Sequence, residues 1–433
     1  MSALKFIKTC SVIGLLVAGA WVAWDNWGRF VGSAEAAVSA APNQTTDPHV
    51  LARGQYLATI GGCVGCHTAR GQALMSGGRL IQTPYGVAVS SNLSSSQTHG
   101  VGAWSLADFQ MALRWGRSKD GRLLLPVFPY NHTSLLTADD VAAIFAWLQS
   151  VPPVKQATPE HRLTWPLGTQ PVIAVWRSLY FKPQSWAADA SQSAEFNRGA
   201  YLVQGLGHCA ACHGQRNALG SFPAVDDLSG GDLTAQAWHA PSLVDPKQTA
   251  TAQSSVQQVA DLLRAGRNAH ASVSGPMAEF VQQSSQFLTP EDARAMAVYV
   301  KASMKAAATD TASVARVTPM SGEYAQATAD LYQTHCASCH GQRGEGKSQM
   351  YPALAGNPAV VMDRPENLIQ MALYGGYGPS TALHPRPYGM PPFVLTLSNP
   401  EIAGVLTYVR QSWGNAAPGI TPMQVDKVRA AKY

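Results

Sequence analysis

The feature that most constrains this chain is a five-residue pattern, Cys-x-x-Cys-His, that occurs three times. The three copies are Cys63-x-x-Cys66-His67, Cys209-x-x-Cys212-His213 and Cys336-x-x-Cys339-His340. Together they contain six of the seven cysteines and leave only Cys10 outside the pattern. Paired cysteines in an exported chain would normally suggest disulfides, but a constant spacing with a histidine after every pair indicates one chemical role that is repeated.

The pattern is typical of covalent haem attachment. Two thiols three residues apart on a helical turn can form thioethers with the two vinyl groups of one porphyrin, and the histidine that follows then lies below the iron as the proximal ligand. A redox dithiol or half of a zinc site are the alternatives, and either would account for a single copy. Three copies, each followed at once by histidine, predict three covalent haem c groups.

The sequence around the motifs is itself repeated. An Arg-Gly-x-Tyr-Leu run precedes the first two motifs at residues 53–57 and 198–202, and a helix-like run precedes the third. A helical pattern that ends at a glycine follows each motif, and a further helix then begins after an N-cap residue, Thr137, Thr289 or Ser398. No repeat shows a convincing strand-like alternation. The sequence therefore predicts an all-α fold of three tandem helical domains.

The division of the chain that follows from these repeats has seven parts. They are a signal peptide or membrane anchor at 1–38, a first domain at 48–151, a linker at 152–191, a second domain at 192–305, a linker at 306–320, a third domain at 321–415 and a C-terminal tail at 416–433. The first linker is long and apolar, and a long ordered linker usually has a role. We expect it to pack on a partner subunit or between domains; a strap across its own domains is the alternative.

The amino terminus has the pattern of an export signal. Two lysines precede an apolar stretch at residues 10–24, and a small-residue cleavage site follows at residues 34–36. Trp21, Trp24 and Trp27 would suit a membrane interface, so an uncleaved apolar anchor helix stays open as the alternative. Both interpretations place the body of the protein on the periplasmic side of the bacterial inner membrane, in association with that membrane.

Charge and motif context exclude two other classes of function. Lys plus Arg number 31 and Asp plus Glu number 26, so the net charge of +5 is too small and too diffuse for nucleic-acid binding. Residues 341–348 have the spelling of a phosphate-binding loop, but such a loop needs a buried strand before it and a long helix after it. Here a Cys-x-x-Cys-His motif precedes the run and Pro352 follows it, which excludes nucleotide binding.

Each repeat resembles a class I-type cytochrome c domain. That family supplies a methionine as second axial iron ligand from a loop between the second and last helices, which raises the reduction potential. The resemblance implies Met277 for the second haem and Met390 for the third. The first repeat departs from the family because its loop contains no methionine. We expect His132 to be the ligand there, and a five-coordinate first haem is the alternative.

Residues from about 53 to 413 resemble a larger family, the triple-haem cytochrome c subunits of membrane-bound periplasmic alcohol and aldehyde dehydrogenases of acetic acid bacteria. The runs that carry this resemblance are Arg53-Gly54-Gln55-Tyr56-Leu57, Cys66-His67-Thr68-Ala69, Ser90-Ser91-Asn92-Leu93, Gly116-Arg117-Ser118-Lys119-Asp120-Gly121, Trp165-Pro166-Leu167-Gly168 and Gly275-Pro276-Met277. The resemblance implies a non-catalytic subunit that takes electrons from a large catalytic subunit and passes them to ubiquinone. A small iron–sulfur or accessory subunit completes the implied complex.

The resemblance also bears on the substrate of that complex. The first-repeat loop departs from the alcohol-dehydrogenase branch, and residues 175–183 are more similar to cytochromes that pair with molybdenum-dependent aldehyde dehydrogenases. An aldehyde dehydrogenase partner is therefore favoured over an alcohol dehydrogenase partner. Two other functions stay open: a peroxidase-like haem enzyme in which an open first haem binds substrate, and the cytochrome c subunit of a terminal oxidase.

Overall fold

The computed structural model describes residues 19–28, 47–221, 224–245, 248, 252, 254–268, 271–304, 320–347 and 350–430. By its internal contacts the chain divides into two compact units. One consists of Met1–Ala58 and Cys66–Ala187, and the other of Thr59–Gly65 and Ala188–Tyr433. The second and third repeats therefore belong to the same unit.

Three findings correct the predicted fold class, which was all-α with three tandem class I-type cytochrome c domains behind an N-terminal apolar helix. Short antiparallel strands lie between the helices. The compact units number two and not three. In the described ranges no helix combines the length and the apolar composition needed to cross a membrane. The strands escape sequence analysis because each is only two to four residues long, too short to show an alternating pattern.

Most of the predicted signal or anchor segment, residues 1–18 and 29–38, lies outside the described residues. The seven segment boundaries that the sequence suggests remain predictions. The predicted N-caps are confirmed, because Thr137, Thr289 and Ser398 each accept a hydrogen bond from a backbone N–H three residues later.

The first repeat and the linker that follows it combine six helices with a three-stranded antiparallel sheet. The helices are α1 (Pro48–Ile60), α2 (Cys63–His67), α3 (Leu106–Trp115), α4 (Tyr130–Thr133), α5 (Ala138–Ser150) and α6 (Gln170–Tyr180), and the strands are β1 (Leu80–Thr83), β2 (Gly86–Val89) and β3 (Arg162–Leu163). Leu80 pairs with Val89, and Gly86 pairs with Leu163. The rings of Phe109 and Phe145, 5.3 Å apart, join α3 to α5 in the core.

Helix α6 lies within the first predicted linker and packs on the first repeat. Its residues Ile173 and Ala174 form a buried cluster with Leu123. Val175 and Leu179 on the same helix are exposed. The linker is thus a strap across its own repeat along one face of α6, and contact of the other face with a partner subunit stays a prediction.

The described residues of the second repeat contain five helices and one strand pair. The helices are α7 (Ala194–Ala200), α8 (Ala210–His213), α9 (Val256–Ala265), α10 (Gly275–Gln283) and α11 (Pro290–Ala302), and the strands are β4 (Gly231–Leu233) and β5 (Trp238–Ala240). A π-helical turn, Tyr201–Leu206, continues α7, and short 3-10 turns occupy Thr234–Gln236 and Ser285–Phe287.

Within the part that the structure describes, the third repeat and the tail after it contain six helices and a pair of two-residue strands. The helices are α12 (Gly322–His335), α13 (Ala337–His340), α14 (Pro358–Val361), α15 (Glu366–Tyr374), α16 (Asn399–Gln411) and α17 (Pro422–Arg429), and the strands are β6 (Gly376–Tyr377) and β7 (Gly389–Met390). Tyr332, Ile369 and Ile402 are fully buried in its core. Val425 of α17 joins this core, so the predicted C-terminal tail holds an ordered helix.

In each repeat the helix that leads to the motif crosses the last long helix at a glycine. A Cβ atom on Gly54 of α1 would lie 1.9 Å from the carbonyl oxygen of Ala143 in α5, and one on Gly199 of α7 would lie 2.0 Å from that of Ala295 in α11. In the third repeat the glycine is on the other helix, because a Cβ on Gly404 of α16 would lie 2.7 Å from a methyl group of α12. Close contact between the two helices at these crossings positions the motifs.

The arginine that precedes this glycine in the first two repeats has a partner on the crossing helix. Nε of Arg53 lies 3.1 Å from a carboxylate oxygen of Asp140, and Arg198 makes a two-point contact with Asp292 at 2.8 and 2.7 Å. Both aspartates are buried third residues of their helices. The repeated Arg-Gly pair is therefore explained by one ion pair and one close helix crossing.

Candidate haem-binding sites

Each Cys-x-x-Cys-His motif forms a single helical turn, in α2, α8 and α13. In each turn Nδ1 of the histidine lies within hydrogen-bonding distance of a backbone carbonyl oxygen. The pairs are His67 with Ser91 at 2.7 Å, His213 with Pro241 at 2.7 Å and His340 with Pro352 at 2.9 Å. Because a carbonyl oxygen only accepts, Nδ1 carries the proton, and Nε2 presents its lone pair to a metal.

The pKa values of these histidines suit a metal ligand. Burial lowers the pKa of His67, His213 and His340, and the carbonyl that accepts from Nδ1 raises it by less. The rings are therefore neutral near pH 7, and a neutral imidazole is the form that coordinates iron.

The thiols have surroundings that suit a neutral thioether. Burial, with a smaller effect from the second thiol of the pair, raises the pKa of Cys209 to about 12 and that of Cys336 to about 11. A redox dithiol needs the opposite shift, a lowered pKa that makes the thiolate available. The donor set of two thiols and one oriented histidine fits haem c better than it fits a reactive disulfide.

A second backbone contact recurs in all three sites and was not predicted. The carbonyl oxygen of each motif histidine accepts a hydrogen bond from a glycine N–H, at 2.8 Å from Gly77, 2.7 Å from Gly230 and 2.7 Å from Gly346. These glycines have φ angles of 72°, 96° and 71°, which side chains disfavour. Each motif thus closes into a loop whose glycine returns the chain to the histidine.

Sequence analysis missed the three carbonyl partners because they lie at different distances along the chain, 24, 28 and 12 residues from their histidines. A proline at two of the three positions, Pro241 and Pro352, is the available signal. The contacts are made by the backbone, so residue identity carries little information about them.

The predicted second axial ligands occupy three different settings. Met390 is half-buried in β7, where its backbone pairs with Gly376, and its side chain packs against the core of the third repeat. Met277 is half-buried in the first turn of α10 and not in a loop. His132 is fully buried in α4. Their assignment to iron stays a prediction.

Comparisons with known proteins agree with the chemistry of these sites. The family model described as Cytochrome c matches residues 325–413, which hold the third motif and Met390. The residues matched begin in α12 and end just after α16, so they span the third repeat without α17. Covalent haem c is accordingly the cofactor of this chain.

Three relatives are similar over nearly the whole chain. The cytochrome c subunit of alcohol dehydrogenase (quinone) from Gluconacetobacter polyoxogenes is 34% identical over 91% of this chain and 87% of its own length. The gluconate 2-dehydrogenase cytochrome c subunit from Pantoea cypripedii is 33% identical over 90% and 91%. The fructose dehydrogenase cytochrome subunit from Gluconobacter japonicus is 33% identical over 88% and 82%.

Proposed function

Because this chain belongs to the family that contains the cytochrome c subunits of alcohol, gluconate and fructose dehydrogenases, we propose that it is the electron-relay subunit of a membrane-bound periplasmic dehydrogenase complex. One observation carries the proposal: the same donor set, two thiols and a histidine oriented by a backbone carbonyl, recurs three times. The common geometry supports one haem c in each of the three motifs.

Haem c supplies one-electron transfer at its iron when it is bound. The residues of this chain would attach it and orient it. In the third site Cys336 and Cys339 would hold the haem through thioethers, and Nε2 of His340 would be free to bind its iron because the carbonyl of Pro352 accepts from Nδ1. Each histidine is held at two points, its ring and its own carbonyl, which would restrain it as an iron ligand.

We assign the second axial positions to Met277 in the second site and Met390 in the third. A soft thioether opposite histidine raises the potential of the iron and suits a haem that accepts electrons from a dehydrogenase. For the first site we propose His132, which is fully buried in the repeat that holds the first motif. A five-coordinate first haem is the alternative.

The proposed partners are a large catalytic dehydrogenase subunit, a small iron–sulfur or accessory subunit and ubiquinone in the inner membrane. The relatives named above serve different dehydrogenases, so they do not select one substrate for this chain. We favour an aldehyde dehydrogenase as the catalytic partner, with an alcohol dehydrogenase as the second candidate.

The test begins with the native complex, purified from membranes through an affinity tag on this chain. Pyridine haemochrome spectra and the intact mass give the number of covalent haems, and we expect three. Stopped-flow absorbance then follows haem reduction by a panel of aldehydes and alcohols, with reoxidation by a soluble ubiquinone analogue.

Reduction of the haems by a member of the aldehyde or alcohol panel, followed by quinone-dependent reoxidation, would support the proposal. Copurification of a copper–haem oxidase would instead indicate a terminal-oxidase subunit. Turnover of hydrogen peroxide by a high-spin first haem would indicate a peroxidase. Failure of every substrate to reduce the haems, in a complex that contains a dehydrogenase subunit, would contradict the proposed relay.

A further inference from the structure

The side chain of His239 has a buried nitrogen that no residue in the described part of the chain satisfies. His239 lies in β5, and its side chain is 9% exposed. Its Nδ1 has a partner, but its Nε2 is buried without a hydrogen bond to any described residue. Buried polar atoms in native proteins nearly always have a partner, so an unsatisfied one indicates a bound group.

Asp232 holds the ring in this orientation. It faces His239 across the β4–β5 pair, and its carboxylate lies 2.7 Å from Nδ1. Burial raises the pKa of Asp232, but the hydrogen bond from His239 and the charge of Arg364, 3.0 Å away, lower it by more. The carboxylate therefore stays ionised and accepts the Nδ1 proton, so Nε2 can act as a donor only in the imidazolium form of the ring.

The backbone of His239 is fixed as firmly as its ring. The side-chain amide of Asn367, in α15, accepts from the N–H of His239 at 2.8 Å and donates to its carbonyl oxygen at 2.6 Å. A second amide on α15, that of Gln370, donates to the carbonyl oxygen of Ala237 at 3.1 Å. The position of Nε2 is thus set by β4, β5 and α15 together.

This strand pair borders the second haem site. Pro241, two residues after His239, provides the carbonyl that orients His213. A Cβ atom on Gly231, next to Asp232, would lie 2.5 Å from the carbonyl oxygen of Cys212. His239 also contributes, after burial, to the lowered pKa of His213, so the two rings are close enough to interact electrostatically.

We propose that Nε2 of His239 donates a hydrogen bond to a propionate carboxylate of the haem attached at Cys209 and Cys212. The propionates are the anionic groups of haem, and a buried carboxylate needs donors as much as a buried N–H needs an acceptor. Asp232 and Asn367 are positioning residues that hold the donor in place. The assignment rests on the proposed function in one respect, because it requires a haem at the second motif.

The hydrogen bond has a consequence for the potential of the second haem. A donor at the propionate withdraws negative charge from the neighbourhood of the iron, which favours the ferrous state. Loss of that donor favours the ferric state. The second midpoint potential should therefore fall when Nε2 is removed.

The test compares two substitutions of His239 in the full-length holoprotein. H239N keeps an amide near the position of Nδ1 but has no atom at the position of Nε2, whereas H239Q places an amide donor there. We expect H239N to lower the midpoint potential of the second haem and to shift its propionate bending band in the resonance Raman spectrum. We expect H239Q to restore most of both values.

Controls make each outcome decisive. The midpoint of the second haem is the one that disappears from C209A/C212A, and H99N changes an exposed histidine of the first repeat in the same way. Unchanged midpoints and Raman bands in H239N would overturn the assignment and indicate a buried water as the partner of Nε2. A shift confined to the third haem would also overturn it. If H239N fails to fold, D232N must lower the same midpoint, because Asp232 is partly exposed and holds the ring.

The haem count separates this inference from the proposed function. A second motif without haem in the parent protein would contradict the proposed function itself. Three haems with unchanged potentials would contradict only the role of His239.

Discussion

Replacement of Gly199 by alanine tests whether the helix crossing in the second repeat is as close as the structure indicates. The new Cβ would lie 2.0 Å from the carbonyl oxygen and 2.5 Å from the carbonyl carbon of Ala295. Ordinary contacts of this kind begin near 3.4 Å, so α7 and α11 must move apart by roughly 1 Å or more. That movement loosens the contact between the rings of Phe196 and Tyr299, which are 5.2 Å apart.

The size of the effect follows from two opposing contributions. Alanine stabilises a helix by about 1 kcal/mol relative to glycine. Overpacking of a close contact costs about 1–3 kcal/mol and more where backbone has to move. Because the obstacle is backbone, we expect an overpacking cost of about 4 kcal/mol and hence a net loss of about 3 kcal/mol in the free energy of unfolding. For a compact unit of this size that is a drop of about 6–12 °C in Tm.

Differential scanning calorimetry of the holoprotein measures this change, with haem content checked by the pyridine haemochrome. The matched control is Gly378→Ala in the same unit, where the new Cβ would lie 3.5 Å from the nearest atom, a side-chain carbon of Pro387. We expect the control to melt within about 2 °C of the parent, as a substitution without a clash should. Equal melting temperatures for the two variants would refute the close crossing.

Three further predictions concern the third repeat. Replacement of both Cys336 and Cys339 by alanine should lower the covalent haem count by one, as the pyridine haemochrome and intact mass would show; an unchanged count would contradict attachment there. Met390→Leu should lower one midpoint potential and remove one methionine-ligation band from the near-infrared spectrum, whereas the control Met371→Leu should do neither; equal behaviour would exclude Met390 as the ligand. Arg410→Met should lower the free energy of unfolding, measured with urea, by about 4 kcal/mol, because the buried guanidinium donates to three backbone carbonyls at 2.6–2.9 Å. A decrease of less than about 1 kcal/mol would contradict these hydrogen bonds.

The predictions that hold best are local in sequence. The three N-caps are confirmed because a cap needs only one oxygen and a backbone N–H three residues away. Glycine ends α3 and α9 in the left-handed conformation, as the helix patterns predict. Interactions within a few residues are encoded directly in the order of side chains.

The predictions that fail depend on contacts between distant segments. The strand pairs are set by hydrogen bonds between backbones, which any residue can make, so β4 and β5 leave almost no trace in composition. The all-α fold class of three domains fails for the same reason, since it extends local helix patterns to the whole chain. Met277, which the sequence suggests to be in a loop, lies in α10 because Gly275 and Pro276 begin a helix.

By itself the sequence determined the chemistry of this protein. Two thiols and a histidine at a constant spacing specify covalent haem c, because attachment depends on a single turn of chain. Only the tertiary structure decided how each histidine is held and what surrounds it, since the carbonyls of Ser91, Pro241 and Pro352 reach their rings across 12 to 28 residues. The tertiary structure likewise decided the setting of His239, because its Nε2 is buried and its backbone is held only where β4, β5 and α15 pack together.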